Sequence, residues 1–377
     1  MKPHIMFVVP YLKVGGQERQ LYYIATQIAR HGFKVTVVAC ERSGQFIPIY
    51  ERSRLSVDYL DVPFSKPRAL HLITSLCNTI RRVRPDIVVS RSWNTNILVA
   101  LSGLITQRKT VLFVTGSIGS TTTYNSLQRR LRRWIMSMSQ RIVCVSEGSL
   151  ICFQDIFAIS SNKLCVVHNG VDIDYISTLA REYSFDDSPV ERTDGINILF
   201  VGRLERRKGL DILLEAISII RLTEPELSEQ IAVRIIGGGN RDIYETLCDD
   251  LQITSSVEFL GELPNPYGYM AHSDMFVLPS RTEGFPNVLL EAMALGMPAI
   301  ASDCKSGPNE VIDHSINGWL VEPENPDILA DAMIHLIKHP ELRNCLGMNA
   351  RKTISDRFST ESSVAQLMTV LNQVNGC

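Results

Sequence analysis

Residues 4–40 read HIMFVVPYLKVGGQERQLYYIATQIARHGFKVTVVAC, and this stretch decides the fold. His4 to Val9 is an apolar run of the length of a buried strand, and Pro10 ends it. Pro10 to Gln17 is a loop carrying Gly15 and Gly16. From Glu18 to Arg30, Leu21, Ile24, Ala25 and Ile28 recur at helical spacing, and Gly32 stops the helix. Phe33 to Cys40 is a second strand. Strand, loop, helix and strand in this order are the repeating unit of a parallel, doubly wound sheet.

The same alternation continues outward. Ile87–Val89, Val111–Val114 and Ile142–Val145 read as further strands separated by helix-length segments. The apolar pattern is lost from Asp174 to Asn197, where Asp186-Asp187-Ser188-Pro189 and Asp194-Gly195 are turn formers. It restarts with a strand at Ile196–Val201, a basic loop at Gly202–Gly209, a helix at Asp211–Arg221 and a strand at Ile231–Ile236. The expected fold is α/β, with two Rossmann-like domains facing across a cleft. Their expected bounds are 1–185 and 186–359, and the helical tail at 360–377 can return to the first domain.

A chain of 377 residues exceeds what a single hydrophobic core supports, in keeping with two domains. At 45% hydrophobic and 21% charged it has neither a collagen-like nor a disordered composition. The net charge of -2 conceals an asymmetry: residues 1–185 carry 23 Lys+Arg against 11 Asp+Glu, and residues 186–377 carry 15 against 29. Nine scattered cysteines without a Cys-x-x-Cys spacing fit a reducing compartment better than a disulfide frame or zinc site. No run of about 18 apolar residues occurs, so no membrane span is expected. A cytoplasmic location is expected.

Two loops carry the chemistry. After the strand Met275–Leu278 come Ser280-Arg281-Thr282-Glu283-Gly284-Phe285-Pro286-Asn287-Val288-Leu289-Leu290-Glu291, with Pro286 suited to a helix start and Gly296 to its end. First-turn amides at Val288 and Leu289 would attract an anion, while Glu283 and Glu291 suit sugar hydroxyls. The bland alternative is a capped surface helix with solvated acids. In the second loop, Val201-Gly202-Arg203-Leu204-Glu205-Arg206-Arg207-Lys208-Gly209, Arg203 and Lys208 form a candidate diphosphate clamp, since arginine binds as a planar fork and lysine as a point charge.

Together these residues resemble the retaining glycosyltransferases of family 4, which have the GT-B fold. The resemblance rests on Gly202-Arg203 with Lys208-Gly209, on Glu283 and Glu291 with seven residues between them in Glu-Gly-Phe-Pro-Asn-Val-Leu-Leu-Glu, on Gly15-Gly16-Gln17-Glu18-Arg19, and on His168-Asn169-Gly170-Val171-Asp172. It implies that Arg203 and Lys208 hold the nucleotide diphosphate and stabilise the leaving group. It further implies that Glu291 binds ribose, and that Glu283 binds the donor sugar with backbone amides from Phe285, Pro286, Asn287, Val288 and Leu289. Gly15 and Gly16 would let the first domain approach the donor phosphate. The base would rest on backbone near Gly237-Gly238 and Leu260-Gly261.

The implied reaction takes a sugar from a nucleotide-diphosphate donor, a UDP-hexose or UDP-N-acetylhexosamine, to a lipid-linked or surface-polysaccharide acceptor such as those of lipopolysaccharide or capsule. It forms an alpha linkage without cofactor or metal. GDP-mannose is an alternative donor. One departure stands out: many members have a histidine after the strand corresponding to Val111–Val114, where this chain has Thr115-Gly116-Ser117 and no histidine between His71 and His168. A sugar-nucleotide epimerase and a catalytically silent nucleotide-sugar-binding protein are the competing readings.

Two weaker signals remain. Asp172-Ile173-Asp174 spells a metal-binding Asp-x-Asp but continues the Asn-Gly-Val-Asp junction, so a metal role is not expected. Residues 125–141 combine Leu127, Leu131, Trp134, Ile135 and Met138 on one helical face with Arg129, Arg130, Arg132 and Arg133 largely off it. This reads as peripheral contact with an anionic membrane at its inner face, against the alternative of a core-packed helix with a solvated basic side. No nucleic-acid motif accompanies the charge.

Overall fold

The first strand, β1 (His4–Val9), is buried along its whole length, as expected of a parallel strand covered on both faces. The computed structural model describes residues 2–13, 16–53, 55–63, 68–115, 125–182 and 195–376. The chain divides into two units, Met1–Gly170 with Thr360–Cys377, and Val171–Ser359.

Unit 1 holds β1, β2 (Lys34–Ala39), β3 (Ser56–Tyr59), β4 (Ile87–Ser90), β5 (Lys109–Val114), β6 (Arg141–Cys144) and β7 (Leu164–Val166). They form one sheet in the order β3-β2-β1-β4-β5-β6-β7, with every pairing parallel. Side chains alternate faces along a strand. Ile5, Phe7, Val9, Val89, Val111 and Phe113 therefore share one core with the helices Gly16–Arg30 and Thr360–Gly376, whereas Met6, Val8, Val88, Leu112 and Val114 share the other.

The terminal helix Thr360–Gly376 buries Val364, Leu367, Val370, Leu371 and Val374 in the first of these cores. Lys109 Nζ donates to the Val374 and Asn375 carbonyls at 3.0 Å each, placing a cation at the negative end of the helix dipole.

Unit 2 repeats the plan with β8 (Ile196–Val201), β9 (Ile231–Ile236), β10 (Val257–Gly261), β11 (Met275–Leu278), β12 (Ala299–Ser302) and β13 (Trp319–Val321). Its sheet order is β10-β9-β8-β11-β12-β13, again parallel throughout. The units part at Gly170 and Val171, fifteen residues before the expected position between 185 and 186, which itself lies outside the described residues. The cause is the helix Ile173–Arg181, which belongs to unit 2: Ile176 and Ala180 are buried, and the Leu179 carbonyl accepts from Asn265 Nδ2 at 3.0 Å.

Asp172 caps that helix, its Oδ1 accepting from the Tyr175 amide at 3.0 Å, so the first aspartate of Asp172-Ile173-Asp174 has a structural task. Among the described residues no group of three or more His, Cys, Asp or Glu side chains could hold a metal. No helix among them is long and apolar enough to cross a membrane.

Candidate active site

In unit 2 the strand order reverses between β8 and β11: β8 leads on to β9 and β10 on one side, β11 to β12 and β13 on the other. Crevices at the carboxyl ends of such strands are where open α/β sheets bind ligands. Both candidate loops leave the sheet at this point. After β8 the chain passes through a single 3-10 turn, Arg206–Lys208, and Gly209, at φ 69°, turns it into the helix Leu210–Thr223. A Cβ on Gly209 would lie 1.9 Å from the Pro279 carbonyl oxygen, so only glycine lets the two loops touch.

Their contact joins Lys208 to Glu283. Nζ and Oε1 are 2.6 Å apart, and the side chains are 11% and 5% exposed. Ser280 Oγ donates to the same Oε1 at 2.7 Å, and Arg207 Nη1 stands 3.9 Å from Oε2. The Glu283 carbonyl accepts from Ser306 Oγ. Such burial of an ion pair is tolerated only when further hydrogen bonds satisfy its oxygens, and Ser280 supplies one.

Arg203 is oriented differently. Its side chain is 68% exposed and pairs with Glu205 at 2.7 Å, while the other Glu205 oxygen accepts from Arg207 Nε at 2.8 Å. The structure thus brings Lys208, not Arg203, to Glu283.

The helix Asn287–Ala294 follows Pro286. The Leu289 amide, expected to be open to an anion, donates to the Pro286 carbonyl at 3.0 Å, because a turn closes at the helix start. The Val288 amide has no backbone acceptor among the described residues. One turn further, the buried Glu291 accepts from Tyr267 Oη at 3.3 Å. Phe285 is buried with its ring centroid 5.8 Å from that of Phe358, and Pro286 packs on Gly307, where a Cβ would sit 2.6 Å from Pro286 Cδ.

Backbone closes the other side of the site. The Gly202 amide donates to the Ile236 carbonyl at 2.9 Å, the Leu204 amide to Gly238 at 2.8 Å and the Gly237 amide to Gly261 at 2.8 Å. A Cβ on Gly238 would stand 3.0 Å from Glu262 Oε2. Leu260 falls in the register shift between Phe259 and Gly261, where β10 leaves β9. In unit 1, Gly16 opens the helix Gly16–Arg30, whereas Gly15, Gly116 and Ser117 lie outside the described residues.

Two family models cover most of the chain: residues 14–175 match Glycosyltransferase Family 4, and residues 184–353 match Glycosyl transferases group 1. An uncharacterized glycosyltransferase of Haemophilus influenzae is 26% identical over 91% of this chain and 92% of its own. The UDP-Gal:alpha-D-GlcNAc-diphosphoundecaprenol alpha-1,3-galactosyltransferase of Escherichia coli is 24% identical over 78% of this chain and 77% of its own. This chain is a family 4-like glycosyltransferase. Its fold is that of the GT-B glycosyltransferases, as a TM-score of 0.82 to Anabaena Alr3699/HepE in complex with UDP shows, at 20% identity over 99% of this chain and 100% of that one.

Sequence reasoning missed two residues that shape the glycosyltransferase's site, Tyr267, which bonds Glu291, and Arg281. Arg281 forms a two-pronged pair with Asp211, at 2.8 and 2.7 Å, while its Nε donates to Glu324 at 2.7 Å and its Nη1 to the Arg206 carbonyl at 2.8 Å. It ties the loop after β11 to the loop after β8, and its bonds to Asp211 hold the guanidinium pKa above the usual arginine range. From sequence it looks like any solvated loop arginine. The signal was Asp211, an acid opening the helix after Gly209 with no cation beside it on the same element. Arg281→Ala should lower the unfolding free energy by about 2–3 kcal/mol, the worth of charge-assisted bonds at a half-buried site. Urea denaturation measures it, and a loss below about 0.5 kcal/mol would contradict the tie.

Proposed function

We propose that this glycosyltransferase moves a sugar from a UDP-hexose or UDP-N-acetylhexosamine to a lipid-linked or surface-polysaccharide acceptor, retaining the anomeric configuration and forming an alpha linkage. The observation that carries the reading is the Lys208–Glu283 pair at the strand-order reversal of unit 2. The lysine places positive charge where a diphosphate would lie, and the carboxylate can turn from Lys208 to sugar hydroxyls when a donor displaces it. Glu291, steadied by Tyr267, suits a ribose diol, and the backbone of Gly238 and Leu260 suits a base. Arg203, exposed and on a flexible stem, would swing from Glu205 to the diphosphate.

In the reaction the bond between the sugar's anomeric carbon and the diphosphate oxygen breaks. The acceptor hydroxyl oxygen bonds to that carbon from the same face, and its proton passes to the departing diphosphate. Stabilising the charge that develops on the diphosphate is the largest contribution, which we assign to Lys208, Arg203 and the Val288 amide. No metal is invoked. The donor name of the Escherichia coli relative and its diphosphoundecaprenol acceptor support a UDP-sugar and a lipid-linked acceptor here. Incubation with a panel of radiolabelled UDP-sugars and a polyprenyl-diphosphate-sugar acceptor tests the reading. Transfer is expected; conversion of the free nucleotide sugar would favour an epimerase, and binding without turnover a silent protein.

The same reading includes peripheral contact with an anionic membrane. In the helix Ser126–Ser137, Leu127, Leu131 and Trp134 are 74%, 54% and 58% exposed, so most of the apolar face is not core-packed; Ile135 and Met136 are the buried anchors. Arg129, Arg130 and Arg133 line a pocket of about 230 Å3 with Ile156 and Phe157, while Arg132 lies over Trp93 at 5.2 Å. Exposed leucines and tryptophan beside arginines suit a headgroup boundary. Arg129→Glu, Arg130→Glu and Arg133→Glu together should weaken binding to phosphatidylglycerol vesicles about 100-fold or more, at about 1 kcal/mol per charge. Unchanged sedimentation with vesicles would sink the membrane role.

A further inference from the structure

Unit 1 has its own strand-order reversal, between β1 and β4, and Arg91 stands on it. Arg91 directly follows β4, and its amide donates to the Val8 carbonyl of β1 at 3.3 Å. The residue is 3% exposed, with its guanidinium carbon 4.2 Å from the centroid of the Phe113 ring. Nε and Nη1 are buried without a hydrogen-bond partner among the described residues. Asn96, in the first turn of the helix Trp93–Thr106, spends Nδ2 on the Phe113 carbonyl at 3.0 Å and leaves Oδ1 buried and unpartnered among the described residues.

Neighbouring groups do not neutralise the arginine. Glu18, in the first turn of the helix Gly16–Arg30, is the carboxylate whose charge acts on it, yet the two form no ion pair within 4.0 Å. Tyr50, fully buried, donates its hydroxyl to the Glu18 carbonyl at 3.2 Å rather than to the carboxylate. Burial pushes the Arg91 guanidinium down to about 10, which leaves it charged at neutral pH, and pushes the Glu18 carboxyl up. Buried polar groups in native proteins are nearly always satisfied, and a buried cation with idle N–H groups is costly. Costs of this kind persist where function needs them.

We propose that Arg91 is an oxyanion-binding residue of the acceptor site: phosphate or carboxylate oxygens of the acceptor dock on its two idle N–H groups, and Asn96 Oδ1 accepts an acceptor hydroxyl. The strand-order reversal supplies the place, Phe113 fixes the guanidinium plane, and the planar fork suits a two-oxygen anion. This inference rests on the proposed glycosyl transfer, because it assigns a chemical class to the acceptor of that reaction.

The test uses full-length Lys208→Ala protein, in which the proposed donor clamp is silenced, with and without Arg91→Met. Inorganic pyrophosphate and glucuronate are the phosphate and carboxylate probes, and titration calorimetry and thermal unfolding are the readouts. One probe should bind the Lys208→Ala protein, and Arg91→Met should weaken that binding at least about ten-fold, the value of one or more hydrogen bonds to a charged group. The responding probe names the anion's source. The unliganded midpoint should hold or rise with Arg91→Met, since an unpartnered buried charge is removed while its apolar stem is kept. A fall in midpoint with unchanged anion binding would make Arg91 a structural residue and overturn the proposal, as would the absence of Arg91-dependent binding by either probe. Binding of UDP to the wild-type protein, measured alongside, reports on the donor reading separately.

Discussion

Lys208→Ala should lower the rate of sugar transfer by about 1000-fold while unit 2 stays folded. Removing one preorganised donor from a developing negative charge costs on the order of 100- to 1000-fold, and a full cation in a site 11% exposed belongs at the upper end. The variant also leaves Glu283 buried without its closest cation. Ser280 still donates to the carboxylate at 2.7 Å and Arg207 remains 3.9 Å away, so the loss of stability should be about 3 kcal/mol rather than complete unfolding. For a unit of this size that is a drop of about 6–12 °C in the unfolding midpoint. Transfer assays below the lowered midpoint separate the two effects. A near-normal rate would remove Lys208 from the leaving-group site.

Gly237→Ala should be the most damaging single methyl in unit 2. Gly237 has φ 154°, and a Cβ there would lie 1.8 Å from the Gly202 carbonyl oxygen, a backbone atom that cannot rotate away. The same residue hands its amide to Gly261 at 2.8 Å, while Gly202 donates to Ile236 at 2.9 Å, so the loops after β8, β9 and β10 meet through it. Separating them breaks those bonds and moves the stretch that carries Arg203. Backbone strain together with overpacking predicts a loss of about 3–5 kcal/mol. Denaturant unfolding measures this, with Gly376→Ala as a control, where nothing lies within 4 Å of a Cβ. Equal midpoints for the two variants would show that the loops are not held as described.

Why some of the site was legible in sequence and some was not follows from where each signal resides. Lys208 and Glu283 could be found because each lies in a polar loop immediately after an apolar strand, and in a parallel sheet those loops gather at one edge. The direction of the Arg203 side chain could not be read: it depends on Glu205, two residues on, outcompeting a partner 80 residues away. Tyr267 and Arg281 were missed for the opposite reason, since their partners Glu291 and Asp211 are 24 and 70 residues distant and neither residue carries a local pattern.

Unit bounds were blurred by composition. The polar stretch from Asp174 onward places the expected boundary at 185, although Ile176 and Ala180 are buried and Asn265 bonds the Leu179 carbonyl, which ties the helix Ile173–Arg181 to unit 2. Periodicity likewise identified an apolar face on the helix at Ser126–Ser137 but not its surroundings. Helical spacing is the same for a face in a core and a face in solvent, and only the exposure of Leu127, Leu131 and Trp134 distinguishes them.

The most direct test of the proposed donor site is amide hydrogen exchange of the 377-residue chain with and without UDP. Protection is expected in three places of unit 2: Gly202 to Gly209, Gly237 to Gly239 with Leu260 and Gly261, and Ser280 to Glu291. Protection confined to unit 1, or none at UDP concentrations that saturate binding, would contradict the assignment of Lys208, Glu283 and Glu291 to the nucleotide sugar.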